Sequence, residues 1–284
     1  MLRITTLREI RGSLGRYFAI LAIVGLGVGF FAGLKVTKTQ MIFTADEYLS
    51  EQHMYDYMIQ SSLGYDEEAC EEMREAPGVR ACEGAIEHDI IMASEEGPEL
   101  VIKTMSIPQE VCMMALKAGR MPEQPDECVL DAELGGEGML GKKLHAVDTN
   151  RKADLDELEY REYTVVGIVT SPLYLNYERG TSGLGDGTVD GFIGLLPEGF
   201  ADPDVYTQIY LQINQDAEFF TEEYEDNLDA AKDGLKEAAE QATANRHDRI
   251  LDQLGDQYQM LSILSGIPLE EIAEQYGLGE GETY

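Results

Sequence analysis

The sequence predicts an α+β fold: one N-terminal transmembrane helix, a mixed α/β extracytoplasmic domain and a long C-terminal helix. Three observations lead there. Tyr17 to Leu34 reads YFAILAIVGLGVGFFAGL without a charged residue, short strand-like segments alternate with helical ones from Tyr55 to Ile213, and Glu218 to Leu254 is acidic, dotted with alanines and poor in large apolar side chains. Strand and helix patterns mixed along one stretch argue for sheets with helices packed on them rather than for a helical bundle.

The apolar run comes first. Its eighteen residues extend about 27 Å as a helix against a hydrocarbon core of roughly 30 Å, and Val36 nearly completes the span. A signal peptide would carry a shorter apolar region ending in a small-x-small site, whereas this one leads into Ala32-Gly33-Leu34-Lys35. A buried helix of a soluble protein would be shorter and amphipathic. Arg3, Arg8, Arg11 and Arg16 precede the run with only Glu9 opposing them, and they outnumber Lys35 and Lys38 beyond it. That asymmetry predicts a cytoplasmic N-terminus anchored by the four arginines, with the main domain outside the cell membrane. Gly25, Gly29 and Gly33 recur every fourth residue, forming a groove on one helix face into which another helix could pack.

The remaining elements follow in order. Residues 1–16 form a cytoplasmic amphipathic segment in which Ile4, Leu7, Ile10 and Leu14 lie toward the lipid. Residues 17–36 are the span and 37–52 a helical stalk. Residues 53–215 hold the mixed domain, with strands expected at Tyr55–Ser61, Ala85–Met92, Leu100–Ser106, Cys128–Leu130, Lys143–Val147, Tyr163–Val169, Gly191–Leu196 and Val205–Ile213. Helices are expected at Asp66–Glu75, stopped by Pro77-Gly78, and at Pro108–Ala118, stopped by Gly119. Residues 216–284 read as an acidic helix that bridges solvent or begins a coiled coil, with Phe219, Phe220, Tyr224, Leu228 and Leu235 as a partial seam. A small amphipathic patch, Leu269, Ile272 and Ala273, precedes a Gly-rich acidic tail that is expected to fray.

Charge excludes one class of partner. The formal net charge is -33, and residues 1–41 carry six Lys/Arg and one Asp/Glu, leaving fifteen against fifty-three for residues 42–284. An outer domain this negative repels nucleic acid. Cys70, Cys82, Cys112 and Cys128 form no C-x-x-C pair, and His53, His88, His145 and His247 form no H-E-x-x-H, so no zinc site is expected. Outside the cell, four cysteines allow one or two disulfides in any of three full connectivities, and half-buried reduced thiols fit as well.

Catalytic and ligand motifs are incomplete. Gly183-Leu184-Gly185-Asp186-Gly187 lacks the strand before and the helix after that a dinucleotide loop needs. The cluster Asp148, Asn150, Asp154 and Asp156 places Lys152 and Ala153 where a calcium loop needs Asp/Asn and Gly, and Asp186 with Asp190 offers at most a weak cation site. There is no G-x-S-x-G elbow, and carboxylate pairs such as Asp154 and Asp156 sit in turn-like sequence. No cofactor, metal or catalytic residue is expected.

Several stretches together resemble the N-terminal half of an FtsX-like ABC transporter permease. Thr5 to Tyr17, TTLREIRGSLGRY, is similar to that family's entry into its first span. Tyr55-Asp56-Tyr57-Met58-Ile59 resembles the first strand of its MacB-like periplasmic core domain, and Gly119-Arg120-Met121-Pro122 with Glu127-Cys128-Val129-Leu130 resembles the domain's G-R-x-P … E-x-V-L segment. Tyr163 to Val169, then Ser171-Pro172 and Gly180 to Gly187, complete the match over roughly residues 1–250. The resemblance implies a non-enzymatic permease subunit. Its partners would be a cytoplasmic ABC ATPase subunit, further permease spans, membrane lipid and an extracytoplasmic protein partner. The departure lies at the end, where three further spans and the cytoplasmic coupling loop are expected and no later segment is apolar enough to supply them. A truncation, a split subunit or a degenerate gene would explain it. The competing expectation is a single-span membrane-anchored extracellular binding or sensing module.

Overall fold

A computed structural model describes residues 14–95 and 97–265. Helix α1, Leu14–Glu51, runs unbroken through the predicted span and stalk. It is followed by β1 (Tyr57–Tyr65), α2 (Glu67–Arg74), β2 (Val79–Ala85), β3 (Glu87–Ser94), β4 (Leu100–Ser106), β5 (Ala115–Gly119) and β6 (Glu127–Asp131). Then come β7 (Lys143–Ala146), the short helix α3 (Lys152–Asp156), β8 (Glu162–Thr170), β9 (Gly191–Leu195), β10 (Tyr206–Ile213) and the long helix α4 (Glu222–Ser265). The predicted patch at Leu269, Ile272 and Ala273, and the N-terminal segment up to Ser13 with Arg3, Arg8 and Arg11, lie outside the described residues.

The strands form two sheets. The larger has the order β5-β8-β6-β9-β4-β3-β7, and β7 also pairs with β8, which closes six of its strands into a small barrel with β5 appended. One edge of β8 serves two strands: residues 162–164 pair with β7 and residues 167–170 with β5. The alternation of each strand sends Ile102, Leu130, Val165, Ile193 and Leu195 into the common core with Ile90 and Met92. The opposite face carries a second cluster, Met105, Ile107, Val129, Val169 and Phe192.

The smaller sheet, β1-β10-β2, is antiparallel throughout. One of its faces holds α2 and α4 over Tyr65, Cys70, Met73, Cys82, Ile209, Leu211, Leu235 and Ala242. Its other face presents Ala81, Ala85 and Tyr210 to Val111 and Cys112 of the β4–β5 loop. Asp66 caps α2, accepting from Ala69 N at 2.9 Å, with Glu67 and Glu68 in the first turn and Arg74 in the last, which complements the helix dipole at both ends.

Four expectations are corrected. Pro108–Ala118 is not a helix: residues 107–114 form an irregular loop and residues 115–119 a strand. The Glu83 carboxylate holds Gln109 N, Glu110 N and Val111 N at 2.6, 2.9 and 2.7 Å, but Cys112 turns into the left-handed region at φ 61° and the amides of Cys112 and Met113 donate to His53 O and Gln52 O instead of to carbonyls four residues back, so no helical ladder forms. The stretch Val79–Gly84, for which no strand was expected, belongs to β2. The chain then passes at Ile86 from the small sheet, where β2 pairs with β10, to the barrel, where β3 pairs with β4. Helix α4 does not bridge solvent. Its alanines permit close approach, and Leu228, Ala231, Leu235, Ala238, Ala239 and Ala242 pack on the small sheet. The four cysteines are fully buried rather than half-buried, and all are free thiols.

Candidate functional site

The site with the most unusual geometry is the junction where α1 meets the outer domain. Between Leu14 and Thr44 every side chain of α1 is exposed, and Leu49 is the first to be buried, at 4% exposure. The helix ends in a Schellman turn. His53 adopts φ 51°, and the amide of Met54 donates to Leu49 O at 2.9 Å while that of His53 donates to Ser50 O at 3.2 Å. This left-handed position is usually glycine, and a histidine there carries backbone strain.

The turn is fastened to the barrel. Cys112 N donates to His53 O at 2.8 Å, Met113 N donates to Gln52 O at 2.9 Å, and His53 Nδ1 lies 2.9 Å from Glu110 O. Tyr48 reaches from α1 to the end of β8, its hydroxyl donating to Thr170 Oγ1 at 3.2 Å. Asp46 accepts from Phe219 N at 2.7 Å, gripping the segment that leads into α4. Next to it Phe220 has φ 66°, and Thr221 caps α4 by accepting from Tyr224 N at 3.2 Å. The three non-glycine residues with positive φ among the described residues, His53, Cys112 and Phe220, all lie in segments that hold the end of α1.

Beneath this turn the first strand begins. Asp56 N donates to Leu211 O at 2.8 Å, and the Asp56 carboxylate accepts from Ile213 N at 2.7 Å, from Tyr224 OH at 2.7 Å and from Gln215 Nε2 at 3.2 Å. Burial, with the hydrogen bond to Asp56 next, raises the Tyr224 hydroxyl well above its ordinary pKa, so the phenol stays protonated as a donor. Tyr55 stacks on Tyr210 at 5.2 Å between ring centroids. A cavity of about 370 Å³ opens at the junction, lined in part by Ser50, Met54, Asp56, Gln215, Phe219 and Tyr224. Helix α1 and the turn that ends it are therefore bonded to β8, to the β4–β5 loop and to the segment leading into α4.

Solved structures with a related arrangement exist. The extracellular domain of a noncanonic ABC-type transporter, YknZ, from Gram-positive bacteria is 14% identical, with a TM-score of 0.40 over 66% of this chain and 87% of that one. The periplasmic region of MacB from Actinobacillus actinomycetemcomitans is 12% identical, with a TM-score of 0.35 over 78% of this chain and 86% of that one. No protein-family model and no curated protein matches the chain. These likenesses concern the fold of the outer domain alone.

The quoted motifs have definite structural roles. Arg120 and Glu127 form a bidentate ion pair, Nη1 to Oε2 at 2.7 Å, and Glu127 Oε2 also accepts from Glu123 N at 2.8 Å. The Arg120 hydrogen bonds, then that of Glu123 N, hold the Glu127 carboxyl at about 2. Gly119 has φ 75°, and a Cβ there would stand 2.3 Å from Val166 O, while one on Gly167 would stand 2.2 Å from Arg120 O. The two motifs thus lie backbone against backbone where β5 meets β8. In the cluster Asp148, Asn150, Asp154 and Asp156, Asn150 bonds Ile91 N, Ile91 O and Val147 O, and Asp154 pairs with Arg151. Asp190 accepts from Val101 N and Asp186 from Thr188. Among the described residues no three His, Cys, Asp or Glu side chains are grouped to hold a metal.

Of the predicted site residues, Arg16, Gly25, Gly29 and Gly33 lie on α1, and a Cβ added at any of the three glycines meets nothing within 4 Å. Their groove is empty within this chain. The junction residues Asp46, Tyr48, His53, Asp56 and Glu110 were not singled out in the sequence, because their partners lie between 57 and 173 residues away. One local signal was present: Tyr55-Asp56-Tyr57 puts a carboxylate immediately before a strand.

Proposed function

We propose that this chain is the N-terminal part of an FtsX-like ABC transporter permease subunit. Helix α1 spans the cell membrane with its N-terminus in the cytoplasm and carries movement, driven by a cytoplasmic ABC ATPase, to the extracytoplasmic domain, for export or for activation of an outer partner. The observation that carries this reading is the concentration of left-handed, hydrogen-bonded residues where an unbroken helix enters the domain. Strained backbone held by surrounding bonds is characteristic of points that bear function. A continuous helix whose end is bonded to β8, to the β4–β5 loop and to the segment leading into α4 is what a coupling rod requires. The MacB-like core set out from the sequence over 53–215 belongs to the same proposal, with the start of α4, which packs on the small sheet, added to the outer domain. The role given to the domain is mechanical and not catalytic.

Gly25, Gly29 and Gly33 are assigned to packing against further permease spans. Gly29→Leu tests this, since the substitution meets no atom of this chain. Copurification of the ATPase and the remaining spans should fall several-fold while the melting of the outer domain stays unchanged. Undiminished copurification would overturn the assignment.

A further inference from the structure

The four buried thiols are not equivalent. Cys128 lies in the barrel core, and Cys112 lies against the opposite face of the small sheet, where its sulfur accepts from Tyr55 N at 3.4 Å. Cys70 and Cys82 alone share a cluster, exposed 1% and 0%, one on α2 and one on β2. Arg74 stands one helical turn beyond Cys70 on the same face, and its guanidinium donates to Cys82 O at 3.0 Å. That bond holds the Cys70 face of α2 against β2 at Cys82, with both side chains in the one buried cluster between helix and strand.

We propose that Cys70 and Cys82 are a disulfide-forming pair that fastens α2 to β2. The fold favours this single bridge over any of the three full connectivities, and Cys112 and Cys128 stay reduced because they lie in separate clusters. The proposal rests on the extracytoplasmic placement only for where oxidation occurs in the cell. The oxidant is a low-molecular-weight or protein disulfide. One cysteine thiolate attacks it, displacing one thiol, and the second cysteine attacks the mixed disulfide, displacing the other. Two S–H bonds are lost and one S–S bond forms, with two electrons and two protons passing to the oxidant, which leaves as two thiols. The neighbouring Cys82 thiol and burial both raise the Cys70 pKa, so the thiolate is scarce in the folded domain and the exchange takes place before α2 docks.

The linked segment matters to the rest of the fold. Asp66, the cap of α2, also holds Arg246 and Arg249 of α4 at 2.8 and 2.7 Å. A bond across Cys70 and Cys82 would stiffen the platform on which α4 rests.

The test uses the full chain in detergent, reduced, unfolded in urea and refolded with oxidised glutathione, then alkylated and mapped by peptide mass spectrometry. The expected result is a peptide pair joined through Cys70 and Cys82, with Cys112 and Cys128 alkylated and with a melting temperature on the order of 5 °C above the reduced chain. Four alkylated or glutathionylated cysteines after refolding, or a link between any other pair, would overturn the proposal, and neither result depends on a variant that folds. Protease accessibility of the domain in intact cells is scored separately. A protected domain that still forms the link in vitro overturns the placement and keeps the pair; an accessible domain without the link does the reverse.

Discussion

The barrel and the small sheet are held together by different means. The barrel closes on itself, fills its interior with Ile, Leu, Val and Met, and leaves its strands few free edges. The small sheet has three strands, packs one face on the apolar side of α2 and α4, and adds polar clamps at its margins: Asp56 on Tyr224 and Ile213, Asp66 on Arg246 and Arg249, and Glu83 on the 109–111 backbone. A closed apolar core resists deformation, whereas charged and hydrogen-bonded clamps at partly exposed positions can exchange partners at low cost. The helix that leaves the domain packs on the small sheet, whereas the one that enters it is held at β8 and the β4–β5 loop. The barrel is the rigid body and the small sheet its mounting.

The largest expected effect tests the rigid body. The loop after β8 is pinned by Arg179, whose Nε donates to Asp131 Oδ2 at 2.6 Å with side-chain exposures of 5% and 1%, and which lies 5.1 Å over the Tyr174 ring. Asp131→Ala leaves the buried guanidinium unpaired and should destabilise the outer domain by about 3–5 kcal/mol. Urea unfolding followed by tyrosine fluorescence and by circular dichroism should show one shifted transition. A loss under 1 kcal/mol would mean that the loop, and not the barrel, bears the change.

How much of this was legible follows the same division. Leu100–Ser106 matches β4 residue for residue, and Gly191–Leu196 and Tyr163–Val169 differ from β9 and β8 only at their ends, because apolar runs bounded by turns specify buried strands locally. Closure of the barrel was not legible, since the pairing of β7 with β8 is a matter of register and not of composition. The error at Pro108–Ala118 arose where distant carbonyls, His53 O and Gln52 O, took the amides of Cys112 and Met113 and overrode local helical preference. At the candidate site, the spanning helix was plain from hydropathy. The junction was hidden, because Asp46, Tyr48 and His53 gain their roles only from contacts far along the chain.

A middle-sized effect tests the mounting. Burial pushes the Asp66 carboxyl up, but the hydrogen bonds of Arg249 and Ala69 N and the charge of Arg246 outweigh it and hold it below the usual carboxylate range. Asp66→Ala removes both the cap of α2 and the grip on α4, at a cost of about 1–2 kcal/mol for the cap alone. Amide exchange should accelerate in residues 236–250 of α4 while barrel strands β6, β8 and β9 exchange at their original rates. Asp66→Asn keeps an acceptor for Ala69 N, so it should restore α2 protection without restoring α4. Uniform acceleration across the domain would erase the distinction between body and mounting.

The smallest effect at neutral pH becomes the most selective in acid. Glu127 belongs to the barrel, and its carboxyl is held at about 2 by Arg120, then by Glu123 N. A group whose pKa is lower folded than unfolded contributes stability that is fully present above its ordinary value, and that contribution is lost as pH falls from that value through the folded one. For Glu127 the window runs from about 4.5 down to about 2. Glu127→Gln keeps the shape and loses the proton linkage. Its melting temperature should lie below that of the parent at pH 7, and the two should converge as pH drops through that window. High salt should shrink the gap at pH 7, because Arg120 is exposed and the pair is screened. Parallel melting curves from pH 7 to pH 2 would show that the pair orients the β5–β6 turn without stabilising the barrel, and the strength of the body would then rest on its apolar core alone.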